Sequence, residues 1–198
     1  MINSNVQIFF EHNIYLLDNN NFDKFFERAE GEFIPSTVND IGIMLETAGI
    51  DPIKHMTYIP EGYFFMSSKE QYIIPPNIRN IHYKAFNSSD IQKLHVPKNV
   101  VSIAEEAFAD CDFLDTVLID EGLELIGDYA FFNCLDLSKV TLPSTLKYIG
   151  NKVFSECQKL KVLDYQGTSE QWNKLGGTEK IKDTSIVRVN CSDKIIKL

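Results

Sequence analysis

The chain lacks the long apolar runs that a membrane-spanning helix requires. Its longest apolar runs, such as residues 8–10 and 14–17, fall far short of the roughly 20 residues that cross a bilayer. Asn3, Asn5 and Glu11 interrupt the apolar residues at the start of the chain, where a signal peptide would need a continuous apolar stretch. The sequence therefore predicts neither a transmembrane helix nor an export signal, and no association with a membrane.

Cysteine is scarce as well. Only four of the 198 residues are cysteines, which is too few for a small fold built on disulfides. Together with the missing export signal, this predicts a protein of a reducing cytoplasm. The 44% of hydrophobic residues and 24% of charged residues are ordinary for a globular domain and exclude a disordered chain.

Common motifs of enzymes and cofactor sites are also missing. The sequence contains no G-x-S-x-G nucleophile elbow, no Walker loop and no G-x-G-x-x-G turn. Asp110, Asp112 and Asp115 lie close together, but the glycine and the closing glutamate of an EF-hand loop are absent. The histidines are widely separated and show no zinc-binding spacing: His12, His55, His82 and His95. We therefore expect no enzymatic activity, no cofactor and no metal ion.

Basic residues are absent from residues 99–138, a segment that holds ten acidic residues. The whole chain has a net charge of −9, although residues 139–198 hold 11 basic and 6 acidic side chains. An acidic surface either keeps a protein soluble or docks a basic partner. Direct binding of nucleic acid is not expected here, because phosphate contacts need Lys and Arg. We call the candidate docking residues the acidic band: Glu105, Glu106, Asp110, Asp112, Asp115, Asp120, Glu121, Glu124 and Asp128.

A repeat of 22–23 residues runs through the second half of the chain. Phenylalanine recurs at 86, 108, 131 and 154, and isoleucine lies five residues before each of them. Cysteine follows the last three phenylalanines after three residues, at 111, 134 and 157. Each unit then contains an apolar pair with the period of a β-strand: Leu94/Val96, Val117/Ile119, Val140/Leu142 and Leu163/Tyr165. So many columns in one register identify a repeat protein.

A unit of this length cannot bury its own apolar face, so neighbouring units must stack on one another. The sequence therefore predicts a solenoid of about five coils. We expect each coil to contribute a short strand to a parallel sheet on one side. On the other side we expect a turn whose Ala-Phe segment forms a short α-helix or 3₁₀-helix. Pro97 and Pro143 are expected to follow the ends of strands, where a missing N–H is tolerated.

The repeat unit resembles that of the BspA-like leucine-rich repeat family. The segments IAEEAFADC at 103–111 and LPSTLKYIG at 142–150 match the family's unit, L-P-x-x-L-x-x-I-G-x-x-A-F-x-x-C-x-x-L-x-x-V. The resemblance covers about residues 57–198 and implies a leucine-rich repeat solenoid. His82 and Ala104 replace the usual glycine and Asp120 replaces the usual proline, which leaves the local turn shapes open. Members of this family are adhesins, surface proteins or intracellular interaction modules, so the resemblance does not choose between these roles.

The two ends of the chain lack the repeat and are predicted to be caps of an α+β solenoid. We divide the chain into a helical N-terminal cap domain at 1–56, the solenoid at 57–166 and a C-terminal cap at 167–198. In the first part, helices are predicted at 23–30, from Ser36 or Thr37 to about Gly49, and around 6–17. In the last part, residues 185–189 and 194–198 alternate like a β-hairpin, and Trp172 is expected to pack on the final coil. The N-terminal part also resembles the short helical leader of intracellular, phage-type members of the family.

The three cysteines in register suggest two interpretations. Stacked coils place equivalent residues about 5 Å apart, which is within reach of a disulfide. No C-x-x-C pair or histidine pair accompanies them to complete a zinc site. We therefore expect Cys111, Cys134 and Cys157 to be small buried hydrophobic residues. Cys191 lies in a predicted turn, where its thiol would be exposed.

The outward residues of the predicted strands form the best candidate binding surface. One column consists of His95, Leu118, Thr141 and Asp164, flanked by Lys93, Thr116, Lys139 and Val162. Open sheet faces of solenoids commonly bind proteins, although such a face can also be simply solvated or covered by another chain. The predicted contact residues are His95, Thr116, Leu118, Lys139, Thr141, Val162 and Asp164.

Three functions are compatible with these features. The first is a non-enzymatic protein-interaction module inside a bacterial cell, which in a phage-type member would bind and inhibit a host protein. The second is a surface adhesin or structural repeat protein, of which this chain would be a fragment. The third is an acidic DNA mimic that occupies a nucleic-acid enzyme, and it requires the acidic band to form one continuous row.

Overall fold

The computed structural model describes residues 56–198, residue 53, and the backbone of residues 6–10 and 13–17. Two strands lie near the N-terminus, β1 (Val6–Phe10) and β2 (Asn13–Leu17). The solenoid then alternates short and long strands. They are β3 (Tyr58–Ile59), β4 (Asn80–Ile81), β5 (Lys93–Val96), β6 (Ser102–Ile103), β7 (Thr116–Ile119), β8 (Leu125–Ile126), β9 (Lys139–Leu142), β10 (Tyr148–Ile149) and β11 (Val162–Tyr165).

The strands of the solenoid form two parallel sheets on different sides of the coil. The two-residue strands make a five-stranded sheet in the order β10-β8-β6-β4-β3. The four-residue strands β5, β7, β9 and β11 lie side by side in a second sheet. The leucine-rich repeat solenoid is thus confirmed, whereas the five-stranded sheet was not predicted, because two residues are too few to show an alternating pattern.

Phenylalanine rings stack along the axis of the solenoid. Consecutive rings of Phe64, Phe86, Phe108, Phe131 and Phe154 lie 4.6, 4.8, 5.3 and 5.8 Å apart, centroid to centroid. Their planes differ by 20° or less, and all five side chains are buried. Beyond the burial of area, such ring pairs contribute about 0.5–1.5 kcal/mol each. The ladder therefore makes each coil depend on its neighbours.

The Ala-Phe segments are turns, and the predicted short helices are wrong. Around Phe108, the residues two before and two after the ring, Glu106 and Asp110, have φ values of 54° and 59°. Their N–H groups and that of Phe108 donate to carbonyls of the next coil at 2.9 to 3.0 Å. A helix would direct these N–H groups to carbonyls of its own chain segment. The bonds between coils offset the left-handed conformation, which costs about 1–2 kcal/mol for a residue other than glycine.

The three repeat cysteines form a second ladder beside the phenylalanines. All three are buried and unpaired, so the prediction of small buried residues is confirmed. Each thiol also donates to the phenylalanine carbonyl of the preceding coil at 3.0 to 3.2 Å: Cys111 to Phe86, Cys134 to Phe108, and Cys157 to Phe131. Burial raises the pKa of Cys111 to about 11 and raises that of Cys134 well above its ordinary value. The thiols of Cys111 and Cys134 therefore stay protonated at neutral pH.

The C-terminal cap closes one end of the solenoid. Helices α1 (Ser169–Lys174) and α2 (Gly177–Ile181) precede strands β12 (Arg188–Asn190) and β13 (Ile195–Lys197). Strand β12 pairs in parallel with β11, and β13 returns antiparallel to β12. The predicted hairpin is confirmed, and it completes a six-stranded sheet in the order β13-β12-β11-β9-β7-β5. Trp172 is fully buried and its ring lies 5.3 Å from that of Tyr165, as expected for packing on the final coil.

Near the N-terminus, the predicted helix over 6–17 is wrong. Strands β1 and β2 pair antiparallel, with Val6 opposite Leu17 and Phe10 opposite Asn13. The segment is rich in β-branched and aromatic residues, and only two residues link the strands, which favours a hairpin over a helix. The helices predicted at 23–30 and from Ser36 or Thr37 to Gly49 lie outside the described residues. Within the described residues, no helix has the length and apolar character needed to cross a membrane.

Removing one ring from the ladder tests how strongly the coils depend on each other. We expect Phe131→Ala to lower the free energy of unfolding by about 3–5 kcal/mol, because the ring is buried completely and leaves a cavity. Phe113 provides the control, since its side chain is 55% exposed and Phe113→Ala should cost less than about 0.5 kcal/mol. Urea unfolding followed by circular dichroism measures both. Equal losses for the two variants would contradict the ladder as the source of stability.

Thiol labelling tests the cysteine ladder. At about pH 8, a thiol with a pKa near 11 is ionised to about one part in a thousand, and burial also blocks the reagent. We therefore expect one thiol per native chain, that of Cys191, to react quickly with a disulfide reagent, and four to react in denaturant. Cys191→Ser should abolish the fast native reaction. Rapid native labelling of a second cysteine would show that the ladder is open to solvent.

Candidate functional site

The structure places all seven predicted contact residues on the outer face of the six-stranded sheet. In β5, β7, β9 and β11, the second and fourth residues are at most 2% exposed. The first and third residues therefore point away from the core, since successive side chains of a strand alternate between faces. This placement follows from the apolar pairs that the sequence analysis used.

One line of outward residues crosses the sheet, and we call it the His95 row. The register pairs His95 with Leu118, and Leu118 in turn with Thr141. The row then continues through Asp164 of β11 into the C-terminal cap. Its full membership is His95, Leu118, Thr141, Asp164, Asn190 and Ile195.

A second line lies two residues earlier on the parallel strands, and we call it the Lys93 row. The register pairs Lys93 with Thr116 and Thr116 with Lys139. Val162 continues the row, because Leu163, which follows it, pairs with Val140, which follows Lys139. The cap then adds two more cations, so the row consists of Lys93, Thr116, Lys139, Val162, Arg188 and Lys197.

The sequence analysis missed the cap's contribution to this face. Arg188 and Asn190 of β12 and Ile195 and Lys197 of β13 lie on the same side as the predicted residues. The alternation of the hairpin was visible in the sequence. The alignment of the hairpin with β11 was not visible in the sequence, because it is set by the helices that return the chain to the sheet.

The outer face combines apolar, polar and charged groups. Leu118 and Ile195 expose 43% and 58% of their surface. His95 Nε2 lies 3.0 Å from a carboxylate oxygen of Asp120, and Asn190 donates to Asp164 at 2.7 Å. Protein interfaces use this mixture, with apolar contacts at the centre and polar groups around them. The face can therefore bury apolar surface of a partner and form ion pairs with it.

The acidic band does not form one row. Glu105, Glu106 and Asp110 lie in the turn around Phe108, whereas Asp120 follows the end of β7. Residues of one coil run around the solenoid axis, so acids that are close in sequence lie on different sides of the molecule. The continuous row that a DNA mimic requires is therefore not formed.

Most of the acidic band instead joins neighbouring coils. Glu121 accepts hydrogen bonds from the backbone N–H of Ser144 and Thr145, at 2.9 and 3.1 Å. Asp128 accepts from the backbone N–H of Asn151 at 2.8 Å, which lowers the pKa of its carboxyl group. Two further acids pair with lysines of adjacent coils, Glu106 with Lys84 and Glu124 with Lys147. These acids stabilise the stack of coils.

His82 and Asp193 have shifted pKa values, and each side chain lies in its own structural contact. His82 stacks on Tyr58 at 4.5 Å, and burial lowers its pKa. Asp193 accepts hydrogen bonds from the N–H and hydroxyl groups of Ser169 at the start of α1, which lowers its pKa. In the part of the chain that the structure describes, no group of three or more His, Cys, Asp or Glu residues is arranged to hold a metal ion.

Comparison with solved structures finds similar repeat proteins. The crystal structure of the pneumococcal vaccine antigen PcpA has 29% sequence identity and a TM-score of 0.49, over 56% of this chain and 26% of that chain. A leucine-rich cell surface protein from Faecalibacterium prausnitzii has 16% identity and a TM-score of 0.34, over 62% and 60% of the two chains. A leucine-rich repeat protein from Bacteroides ovatus has 20% identity and a TM-score of 0.38, over 58% and 42%.

The chain spans only part of the length of these structures, between 26% and 60% of each. A search of curated protein sequences found no match. The sequence profile of the BspA-type leucine-rich repeat region matches residues 46–165 in six copies. The number of copies is one more than the number of coils with a stacked phenylalanine, which is five. The match also begins before the described part of the solenoid. Because the profile covers more than half of the chain and agrees with its coil structure, the protein belongs to the BspA-type leucine-rich repeat family.

Proposed function

We propose that this protein is a non-enzymatic binding module that holds a protein partner on the outer face of its six-stranded sheet. Repeats of this family generally mediate protein interactions or occur in surface repeat proteins. The observation that carries the proposal is the pair of rows on that face, where exposed leucine and isoleucine side chains lie beside exposed cations. Such a surface provides both the apolar area and the charged groups that a specific interface needs.

The outer face of the five-stranded sheet is less suitable for binding a protein partner. Its strands have two residues each, so each presents a single outward side chain. Ser102 donates to Asn80 at 2.7 Å, and the Lys180 ammonium lies 5.9 Å from the Tyr148 ring, so several of these groups are bound within the chain. The six-stranded face is wider, at about 24 Å across its strands, and presents two rows.

We further propose that binding takes place inside a bacterial cell, with inhibition of a host protein as its effect if the chain is phage-encoded. The scarcity of cysteine and the three unpaired buried thiols support an intracellular setting. The phage-type refinement depends on the resemblance of the N-terminal part, where the helix expected at 6–17 is a β-hairpin. Fractionation of the native cells tests this setting, and recovery of the protein at the cell surface would favour the adhesin alternative.

Two leucines with similar exposure test the binding face. Leu118 lies in the His95 row and is 43% exposed, whereas Leu125 lies on the five-stranded sheet and is 39% exposed. We expect Leu118→Glu to abolish the stoichiometric capture of a partner from bacterial lysate, because it places a charge in the apolar centre of the interface. Leu125→Glu should capture the partner as the unchanged protein does. Thermal unfolding of both variants checks that each is folded.

The same experiment can contradict the proposal. If Leu118→Glu is folded and still captures the partner, the six-stranded face is not the binding surface. If only Leu125→Glu loses the partner, binding takes place on the outer face of the five-stranded sheet.

A further inference from the structure

Four cations of the Lys93 row have no counter-charge among the described residues of this acidic protein. We propose that the six-stranded face binds an acidic, amphipathic α-helix of the partner, which lies across the strands with its carboxylates on the Lys93 row. The inference rests on the proposed function and specifies the chemistry of the partner. It follows from the charges and spacing of Lys93, Lys139, Arg188 and Lys197.

The cations of the row are exposed and form no ion pair with any residue that the structure describes. Ion pairs in the described part of the chain involve lysines elsewhere, such as Lys84 with Glu106 and Lys147 with Glu124. None of the ion pairs or side-chain hydrogen bonds among the described residues involves the charged groups of Lys93, Lys139, Arg188 or Lys197, and all four residues are exposed. A partner carboxylate can therefore pair with them without breaking an existing contact.

The row itself contains no acidic residue. The two positions between the cations are occupied by Thr116 and Val162, which are half-buried. In a protein with a net charge of −9, this makes the row a local positive line. Because charges in an interface are arranged to be complementary, the line favours a partner segment with negative groups.

The spacing of the cations suggests the conformation of the partner segment. Neighbouring strands lie about 4.8 Å apart, so two strand steps separate Lys93 from Lys139, and Lys139 from Arg188, by about 10 Å. Residues i and i+7 of an α-helix lie about 10.5 Å apart on one side of the helix. The line from Lys93 to Lys197 covers about 24 Å, which a helix of about 16 residues spans.

The His95 row provides apolar side chains that the same partner helix would contact. It lies about 6.6 Å from the Lys93 row along the strands, and it contains the exposed side chains of Leu118 and Ile195. A helix whose acidic residues meet the Lys93 row would direct the neighbouring stripe, at i+4, i+8 and i+11, onto these side chains. The partner helix should therefore carry apolar residues beside its acidic ones.

A polypeptide fits this face better than a nucleic acid does. A long polyanion would extend beyond the row and approach the acids of the protein, among them Asp120 beside His95 and Asp164 in the adjacent row. A second copy of the chain is also disfavoured, since much of its acidic band is bound to neighbouring coils. A short acidic helix avoids both problems.

Fluorescence anisotropy with a synthetic peptide tests the inference. The probe is a labelled helical peptide of about 16 residues with glutamate at i, i+7 and i+14 and leucine at i+4, i+8 and i+11. A scrambled peptide of the same composition serves as its control. We expect the unchanged protein to bind the probe more tightly than the scrambled peptide by about tenfold, and less tightly as salt is raised.

Two quadruple variants with equal changes in net charge separate the row from general electrostatics. Lys93→Gln, Lys139→Gln, Arg188→Gln and Lys197→Gln together should weaken binding of the probe by about tenfold or more, because its three glutamates lose the cations that pair with them. Lys147→Gln, Lys159→Gln, Lys174→Gln and Lys182→Gln together remove four lysines that are paired within the chain. This control should change the affinity by less than about twofold.

Several results would overturn the inference. They are equal binding of probe and scrambled peptide, equal effects of the two quadruple variants, or tighter binding of a single-stranded oligonucleotide than of the probe. A concentration-dependent dimer that the row variant abolishes, measured by light scattering, would identify a second copy as the occupant instead. If Leu118→Glu abolishes capture of the partner while the row variant retains it, the proposed function stands and only the acidic helix is wrong.

Discussion

Hydrogen bonds between consecutive coils hold the whole architecture in register. In the turn around Phe108, the N–H groups of Glu106, Phe108 and Asp110 all donate to the next coil, and two of these residues adopt positive φ to do so. This spacing brings the phenylalanine rings into contact, places each repeat cysteine beside a carbonyl of the preceding coil, and aligns the outward residues of successive strands. Since a single coil satisfies none of these contacts alone, stability arises only from the stack.

The same constraint determines how charge is distributed on the surface. Residues that are neighbours in sequence spread around the axis, so the acids of 99–138 separate onto different sides and mostly bind adjacent coils. Residues 22–23 positions apart come together, so cations that are scattered in the sequence form one row. Lys93 and Arg188 share a line on the sheet although 95 positions separate them in the sequence. The residues that occupy equivalent positions of successive repeat units therefore determine the chemistry of this surface.

The C-terminal cap closes the solenoid and also extends the candidate face. Asp193 binds the N–H and hydroxyl groups of Ser169, which ties the hairpin to the start of α1. With Trp172 buried against Tyr165, this arrangement covers the apolar end of the final coil. The hairpin then extends the candidate face by two strands and ends the sheet with Lys197, a charged residue of the kind that discourages further strand pairing at an edge.

The period, the inward and outward alternation of the strands, the cysteine ladder and the C-terminal hairpin could all be predicted from the sequence, because each produces a pattern within one repeat unit or within a few residues. The conformation of the turns could not, since the left-handed residues Glu106 and Asp110 are held by carbonyls one coil away. Tertiary contacts also extend both rows through β12. These features depend on contacts between residues that give no local signal of their partner, so the short helices predicted in the Ala-Phe segments were wrong and the basic row was not foreseen. The hairpin at 6–17 differs, because its β-branched and aromatic residues do carry a local signal, and the helix predicted there misread it.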